Sequence, residues 1–164
     1  MIVMIRADDR LMHGMVAVSW TSALKPDRIM VVNDEVANDQ FKSMTMKLAK
    51  PAGVEFSIKT KEAAIPLLKD KYAKINVFVV TASVADALYV YENVPGVTKV
   101  NIGTAGVSKK PGDDYRPTLP NVFMTPHEFE CARKMHDAGC EVWVQITPSQ
   151  ERLDFNGISK SFMK

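Results

Sequence analysis

Short apolar runs rich in β-branched residues alternate with longer helical patterns along this chain. Most of the runs are continuous in apolar character, which is typical of strands covered on both faces. Strand–helix–strand repetition produces right-handed crossovers and therefore a mostly parallel sheet. We predict an α/β fold with one open, twisted sheet, helices on both faces and room for one antiparallel edge strand. The predicted strands are Ile2–Ile5, Arg28–Asn33, Val54–Ile58, Ile75–Val80, Lys99–Gly103 and Cys140–Thr147.

The segments between these strands carry start and stop signals for helices. Thr125 is followed by a proline and then by Glu128, the pattern of a capping box. Pro66 is expected to kink or shorten the helix in which it lies. A Pro- and Gly-rich segment, 105–122, interrupts the alternation and is predicted to be irregular with room for one short strand. The predicted helices follow the first charged loop, cover Asp34–Lys50, and begin at the caps Thr60, Ser83 and Thr125.

Length and composition exclude several classes of protein. The chain has 164 residues, which predicts a single domain over 1–164. Its net charge is only +2 and no block of like charge occurs, which argues against nucleic-acid binding. The longest apolar runs fall well short of the roughly 20 residues that a membrane helix needs. Two cysteines, Cys131 and Cys140, are interpreted as reduced thiols, and with no signal peptide expected this favours the cytoplasm.

The stretch RADDRLMHG, residues 6–14, lies between the first predicted strand and the first helix. Ligand sites of open α/β sheets form beyond the carboxyl ends of the strands. His13 therefore lies at the N-terminus of a helix, where unpaired N–H groups attract an anion. Arg10 is close enough in sequence to bind the same anion through its guanidinium. An imidazole beside an arginine and an anion site points to phosphoryl transfer through a phosphohistidine.

Other interpretations of this stretch remain open on the residues alone. It fits a solvated loop that caps the helix, with His13 simply exposed. A metal-dependent hydrolase would use Asp8, Asp9 and His13, although the charge of Arg10 would repel a cation. A receiver-like signalling module also has paired acids after its first strand, but needs an acceptor aspartate after the third. We expect no metal, because no second cysteine or histidine cluster has ligand spacing, and no nucleotide or other cofactor, because neither a P-loop nor a G-x-G-x-x-G pattern is present.

The same topology predicts further polar groups near the phosphoryl site. Gly14 and Met15 would offer their N–H groups to the phosphoryl oxygens. Asp9 is expected to hold Arg10 or to cap the helix, because its own charge repels phosphate. Thr81 and Ser83 follow another strand, so their hydroxyls are candidates for the phosphoryl group, although Ser83 is foremost a helix cap. His127 and His136 are expected to lie on the surface, on opposite sides of one helix.

The sequence IRADDRLMHGMVAVSW resembles the start of the IIB components of the mannose/fructose/sorbose family of the bacterial sugar phosphotransferase system. Their hallmark reads approximately R-x-D-D-R-L-I-H-G-Q-V. The stretch VVNDEVANDQF, residues 31–41, resembles a second hallmark, and NIG and EVWVQITPS resemble later strands of the family. Two positions depart from the pattern: Met15 replaces a glutamine, and Asn33 replaces an aspartate.

The resemblance implies a phosphotransferase and its partners. His13 would accept a phosphoryl group on Nδ1 from a phosphohistidine of a IIA protein, with Arg10 steadying the group. His13 would then pass the group to a sugar that is imported by the membrane components IIC and IID. The protein would therefore associate peripherally with the inner face of the membrane, and homo-oligomerisation is left open. Met12 and Met15 are candidates for the surface on which both partners dock.

Overall fold

A computed structural model of the protein describes residues 1–106 and 112–163, with the side chain of Met15 left out. Seven strands form one sheet in the order β3-β2-β4-β1-β5-β8-β9, and a separate hairpin pairs β6 with β7. All neighbours in the large sheet are parallel except β9, which pairs antiparallel with β8 at the edge. The strands are β1 Ile2–Ala7, β2 Arg28–Val32, β3 Glu55–Lys59, β4 Val77–Thr81, β5 Lys99–Ile102, β6 Arg116–Leu119, β7 Val122–Met124, β8 Glu141–Val144 and β9 Leu153–Asp154.

Helices cover both faces of the large sheet. On one face the first three helices enclose an apolar core that includes Met4, Trp20 and Trp143. On the other face the remaining helices enclose a larger core built around Val79 and Ile102. The helices are α1 Gly14–Leu24, α2 Asp34–Ala37, α3 Gln40–Leu48, α4 Lys61–Pro66, α5 Val84–Asn93, α6 Pro126–Asp137 and α7 Phe155–Phe162, with a π-helical turn at Leu67–Lys71.

The predicted fold class is confirmed, and so are all six predicted strands, within one to three residues at their ends. The caps Thr60, Ser83 and Thr125 accept hydrogen bonds from backbone N–H groups three residues later. Thr125 also forms the predicted capping box with Glu128. As expected, α4 ends at Pro66, beyond which the chain widens into the π-helical turn.

The sequence prediction was wrong about one helix and missed short elements in the second half of the chain. The predicted helix Asp34–Lys50 is two helices, because Asp39 caps a new helix by accepting a hydrogen bond from the N–H of Lys42 at 3.0 Å. The interrupting segment 105–122 contains one short strand, β6, as expected, but β7, which begins at its last residue, was not predicted, and residues 107–111 lie outside the described part of the chain. The predicted fold class allowed one antiparallel edge strand, which is β9, but neither its position nor α7 was predicted.

The topology places the loop between β1 and α1 at the centre of the sheet. Strand β1 lies between β4 and β5, so the loop that leaves β1 meets the ends of both neighbours. The N–H of Asp8 donates to the carbonyl of Thr81 at 2.9 Å, and the N–H of Asp9 donates to the carbonyl of Thr104 at 2.9 Å. The loop is thereby pinned on both sides before it turns toward α1.

Candidate active site

The loop from Asp8 to Gly14 makes two left-handed turns of the backbone. Leu11 has φ +57° although it is a buried leucine, and its N–H donates to the carbonyl of Asp8 at 2.9 Å. Gly14 has φ +43°, a conformation that glycine adopts without a steric penalty. Left-handed geometry at a bulky residue costs energy and is characteristic of functional sites. The loop is thus held in one unusual shape that fixes where His13 lies.

His13 is the N-cap residue of α1, with φ −150° and ψ 135°. The side chain of His13 makes no capping hydrogen bond to the first N–H groups of the helix. Such groups, together with the helix dipole, form an anion site. The imidazole is 26% exposed, which leaves one edge of the ring open to solvent. The predicted position of His13 at the start of the helix is therefore confirmed.

The inner edge of the imidazole faces a buried carboxylate. Nε2 of His13 lies 3.3 Å from Oδ2 of Asp8, and the same oxygen accepts a hydrogen bond from Nη2 of Arg6 at 2.9 Å. Oδ1 of Asp8 accepts from the N–H of Arg10 at 3.0 Å. Both Asp8 and Arg6 are almost completely buried. Asp8 is therefore a buried, hydrogen-bonded residue of the site. From the sequence alone, a position in a solvated loop was an equally open interpretation.

The charge of Asp8 is fixed by its neighbours. Burial opposes ionisation, but the hydrogen bond with His13 and the positive charge of Arg6 outweigh it and lower the pKa of Asp8 below its ordinary value. An ionised carboxylate can only accept hydrogen bonds. The proton of a neutral imidazole therefore lies on Nε2, and the lone pair lies on Nδ1. Nδ1 makes no hydrogen bond to any residue that the structure describes.

Arg6 holds Asp8 from behind. Its guanidinium donates to the backbone carbonyls of Gln145 and Ile146 at 3.1 and 2.9 Å, and also contacts Oδ1 of Asn101. Gly103 makes room for this group, because a Cβ atom there would lie 2.1 Å from Nη2 of Arg6. The missing side chain at Gly103 thus makes room for a protein side chain.

Arg10 and the first turn of α1 make up the outer side of the site. The side chain of Arg10 is exposed and makes no ion pair within the described part of the chain. Gly14 begins α1 and is exposed, with open space around its Cα. Met15 follows in the same turn, but its side chain is outside the described residues, so its predicted exposure is not tested. Met12, by contrast, is buried in the core.

The remaining predicted site residues lie in other positions. The hydroxyl of Thr81 is fully buried and donates to the carbonyl of Ser83 at 3.0 Å, so it does not face His13 across open space. The Ser83 hydroxyl caps α5 by accepting from the N–H of Asp86 at 3.1 Å. Asp9 is exposed and lines, with Ser83 and Glu128, a separate crevice of about 420 Å³. His13 stands at the N-cap position of α1, and the expectation that Asp9 holds Arg10 or caps this helix stays a prediction.

Residues 1–106 and 112–163 carry neither a cluster of metal ligands nor a membrane-spanning helix. No group of histidine, cysteine or carboxylate side chains there is arranged to hold a metal ion. The same residues contain no helix with the length and apolar character needed to cross a bilayer. Cys131 and Cys140 are both buried and free. Burial raises the pKa of the Cys140 thiol to about 11, so it is not a reactive thiolate.

The sequence analysis missed the buried pair Arg6 and Asp8. The spacing of the two residues could have indicated the pair, because residues two apart on a strand share a face. If Arg6 at the end of β1 points inward, Asp8 points inward as well. The apolar strand gave no reason to expect an inward arginine. Fold and site together define a doubly wound α/β protein with a carboxylate-supported histidine at its first strand-to-helix turn.

Comparison with known proteins places this class in a family. The family model for the PTS system sorbose subfamily IIB component matches residues 2–163. A probable phosphotransferase enzyme IIB component of Streptococcus pyogenes serotype M6 is 35% identical over 157 residues, covering 93% of this chain and 96% of that protein. The IIBSor domain of the sorbose permease from Klebsiella pneumoniae superposes with a TM-score of 0.86 at 24% identity, covering 98% and 97% of the two chains.

A third relative is longer. The mannose-specific EIIAB component of Escherichia coli is 29% identical over 149 residues, which cover 90% of this chain and 45% of that protein. The solved IIBSor structure supports the fold of this chain, and the match to the family model shows that the chain is a member of the family. The chain belongs to the sorbose subfamily of phosphotransferase-system IIB components, as the resemblance of its first hallmark indicated.

Proposed function

We propose that this protein carries a phosphoryl group on His13, between a phosphorylated IIA protein and a sugar bound by the membrane components IIC and IID. The observation that carries the proposal is the asymmetry of the His13 ring. One nitrogen is held by buried Asp8, and the other is without a partner among the described residues, beside the open N-terminus of α1. This arrangement prepares one nitrogen for attack and supplies a site for the anion it receives.

In the first half-reaction the lone pair on Nδ1 of His13 attacks phosphorus. A new nitrogen–phosphorus bond forms as the bond to the imidazole of the donor breaks, and that electron pair returns to the donor nitrogen. Nε2 keeps its proton, so the product ring carries positive charge. Asp8 lies 3.3 Å away and stabilises that charge. Asp8 thus acts as a positioning residue with an electrostatic contribution, because it never touches the phosphoryl group.

The phosphoryl oxygens need charge stabilisation more than any further covalent help. We assign this role to the exposed guanidinium of Arg10 and to the N–H groups of Gly14 and Met15 at the start of α1. Arg10 is anchored at its backbone by Asp8, which leaves its side chain free to fold over the oxygens. In this way one buried carboxylate positions both the nucleophile and the residue that binds the anion.

In the second half-reaction a sugar hydroxyl attacks the phosphorus of phosphohistidine. The nitrogen–phosphorus bond breaks toward Nδ1, and the hydroxyl proton leaves to a base on the sugar-bearing partner. His13 must therefore meet two partners in turn, which requires an accessible position such as the 26% exposed ring. The protein would work at the cytoplasmic face of the membrane, held there by IIC and IID.

Phosphorylation with a labelled IIA donor tests this function. The wild-type protein should take up label that is lost in acid and retained in alkali, which distinguishes phosphohistidine from an aspartyl phosphate. His13→Ala should take up none, whereas His127→Ala, which alters an exposed histidine of α6, should behave as wild type. Label that is retained on the His13→Ala protein would refute the assignment. Alkali-labile label would indicate the receiver-like alternative, and metal-dependent turnover would indicate the hydrolase.

A further inference from the structure

Helix α3 exposes an apolar stripe that the fold does not use. None of its residues is fully buried. Phe41 is 78% exposed, Met44 is 56% exposed and Leu48 is 84% exposed. Their spacing of three, four and seven residues places them on one side of the helix. We call these three residues the α3 stripe.

Exposed apolar side chains elsewhere are isolated, which is normal for a soluble protein. In the described ranges the other large ones are Met1, Val18, Tyr89 and Met163, each on a different element. Three large apolar groups on a nine-residue helix are different, because a contiguous exposed apolar patch marks a binding surface. The α3 stripe therefore needs an occupant.

A groove connects the α3 stripe to the site. Its volume is about 430 Å³, and Met12, His13 and Gly14 form one wall. Val36 of α2 and residues of α3 form the opposite wall, and of the three stripe residues Phe41 alone lines the groove. A molecule that rests on Phe41 therefore lies at one wall of a groove whose other wall carries His13.

Helix α3 itself carries only positive charge. It contains Lys42 and Lys47 and no acidic residue, Asp39 caps its start, and Lys50 follows two residues after its end. Lys42 pairs with Glu35 of α2 and Lys50 donates a hydrogen bond to the carbonyl of Val54, while Lys47 makes no ion pair with the described residues. An apolar centre with a polar, basic rim is the usual build of a protein interface, and it favours an acidic partner.

We propose that the α3 stripe and its basic rim are the docking surface for the phosphorylated IIA protein. The inference rests on the proposed function, since it names the surface on which the donor reaches His13. The mannose-specific EIIAB relative indicates a donor of the IIA type, because its name assigns an A and a B component to one protein. A phosphorylated donor brings negative charge toward Arg10 and the lysines of the rim.

Truncation of the α3 stripe tests this surface. The variant Phe41→Ala/Leu48→Ala removes two exposed side chains from the helix, and alanine keeps the helix stable. The probe is a phosphorylated IIA protein of the mannose type that phosphorylates the wild-type chain. The KM for this donor should rise about tenfold or more, as for a truncated interface hot spot. The maximal rate at saturating donor should stay unchanged, because His13 and its supports are intact.

A matched control is available at the opposite edge of the sheet. Met163 is 81% exposed, as exposed as Leu48, and it follows α7. Met163→Ala should leave the KM for the donor unchanged. Circular dichroism and urea unfolding of each variant separate a docking defect from a folding defect. A second variant, Lys47→Glu, should raise the KM more at low salt than at high salt, since the charges of the rim act through screened attraction.

Other outcomes overturn the proposal and name another occupant. If the KM for the donor equals that of wild type while phosphoryl transfer to sugar in vesicles containing IIC and IID falls, the membrane complex covers the α3 stripe. If the variant instead lowers self-association in sedimentation experiments with its KM unchanged, a second copy of this chain covers it. If the wild-type chain takes up no label from any IIA donor, the proposed function itself fails, which is a separate result.

Discussion

The two nitrogens of the His13 ring face opposite kinds of surroundings. On the Nε2 side buried groups hydrogen-bond one another, from Asp8 to the Nη atoms of Arg6 and the backbone carbonyls behind them. On the Nδ1 side the ring makes no hydrogen bond to the described residues, and it stands 26% exposed at the start of α1. We call the buried Nε2 side the inner side and the open Nδ1 side the outer side. The inner side holds the ring in place, and the outer side leaves it accessible.

The difference between the two sides of the ring suits the role that we propose, in which one histidine serves two partners. A nucleophile that is exchanged between proteins needs a fixed direction of attack, which the buried carboxylate supplies. The space in front of its attacking nitrogen must also be free of other parts of the same chain. Disturbing the inner side should therefore cost both stability and transfer, whereas disturbing the outer side should cost transfer alone.

The largest effect is expected on removing the carboxylate of the inner side. Asp8→Ala leaves the charge of Arg6 buried without its partner, and such a change costs about 3–5 kcal/mol of unfolding free energy. Urea denaturation measures the loss, and labelling with the IIA donor should show much slower transfer at His13. The matched control is Asp9→Ala, which alters the exposed neighbour and should cost less than about 1 kcal/mol. Equal losses for the two variants would contradict the division between the sides.

The stabilisation by Asp8 should depend on pH in a defined direction. Its pKa is lowered in the folded protein, so the stabilisation is complete above its unfolded pKa and is lost as the pH falls through the folded value. The difference in unfolding free energy between wild type and Asp8→Asn should therefore be constant above about pH 5 and should shrink below about pH 4. A difference that grows in acid would mean that Asp8 is protonated in the native protein.

Arg10 tests the outer side. Arg10→Lys keeps the positive charge but loses the planar fork that binds two phosphoryl oxygens. We expect transfer to slow by roughly 10²–10³-fold, as on loss of one oriented donor to a developing charge. The unfolding free energy should not change, because the Arg10 side chain is exposed. Rapid-quench labelling measures the rate, and a rate equal to wild type would remove Arg10 from the site.

The smallest effect on stability and transfer is expected from a substitution at Gly103, which acts indirectly through Arg6. Gly103→Ala places a methyl group where the Arg6 guanidinium lies, so the guanidinium must shift away from Asp8. Overpacking of this kind costs about 1–3 kcal/mol. Thermal unfolding should show the loss, and the transfer rate should fall with it. Loss of stability with full transfer activity would show that the alignment of His13 does not depend on the exact position of Arg6.

The outer side of the site could be predicted from the sequence better than the inner side. Strand and helix patterns placed His13 at the start of α1 because both patterns are local. Which of two adjacent aspartates turns inward depends on the register of β1 against its neighbours, and that is a long-range property. The same limit explains Thr81: a hydroxyl at the end of a strand is available only if the next residues do not use it, and here the carbonyl of Ser83 does.

The fold shows the same division between local and long-range information. Strong caps such as Thr125 fixed the helix boundaries correctly, because a cap is decided within four residues. The break between α2 and α3 was missed because Asp39 reads equally well as a helix residue or as a cap. The apolar residues of α3 would normally indicate a buried helix face. Only the structure shows that Phe41 and Leu48 point to solvent.

His13 occupies a position that serine, aspartate or asparagine would fill better for stability alone. As an N-cap it satisfies no backbone group through its side chain, and a good cap contributes about 1 kcal/mol. A related chain released from selection for phosphoryl transfer would therefore gain stability by replacing this histidine. In genomes, a paralogue with serine or aspartate at this position and an intact Arg6–Asp8 pair should be a folded protein that has lost its carrier role, and position 13 can be used to separate active copies from inactive ones.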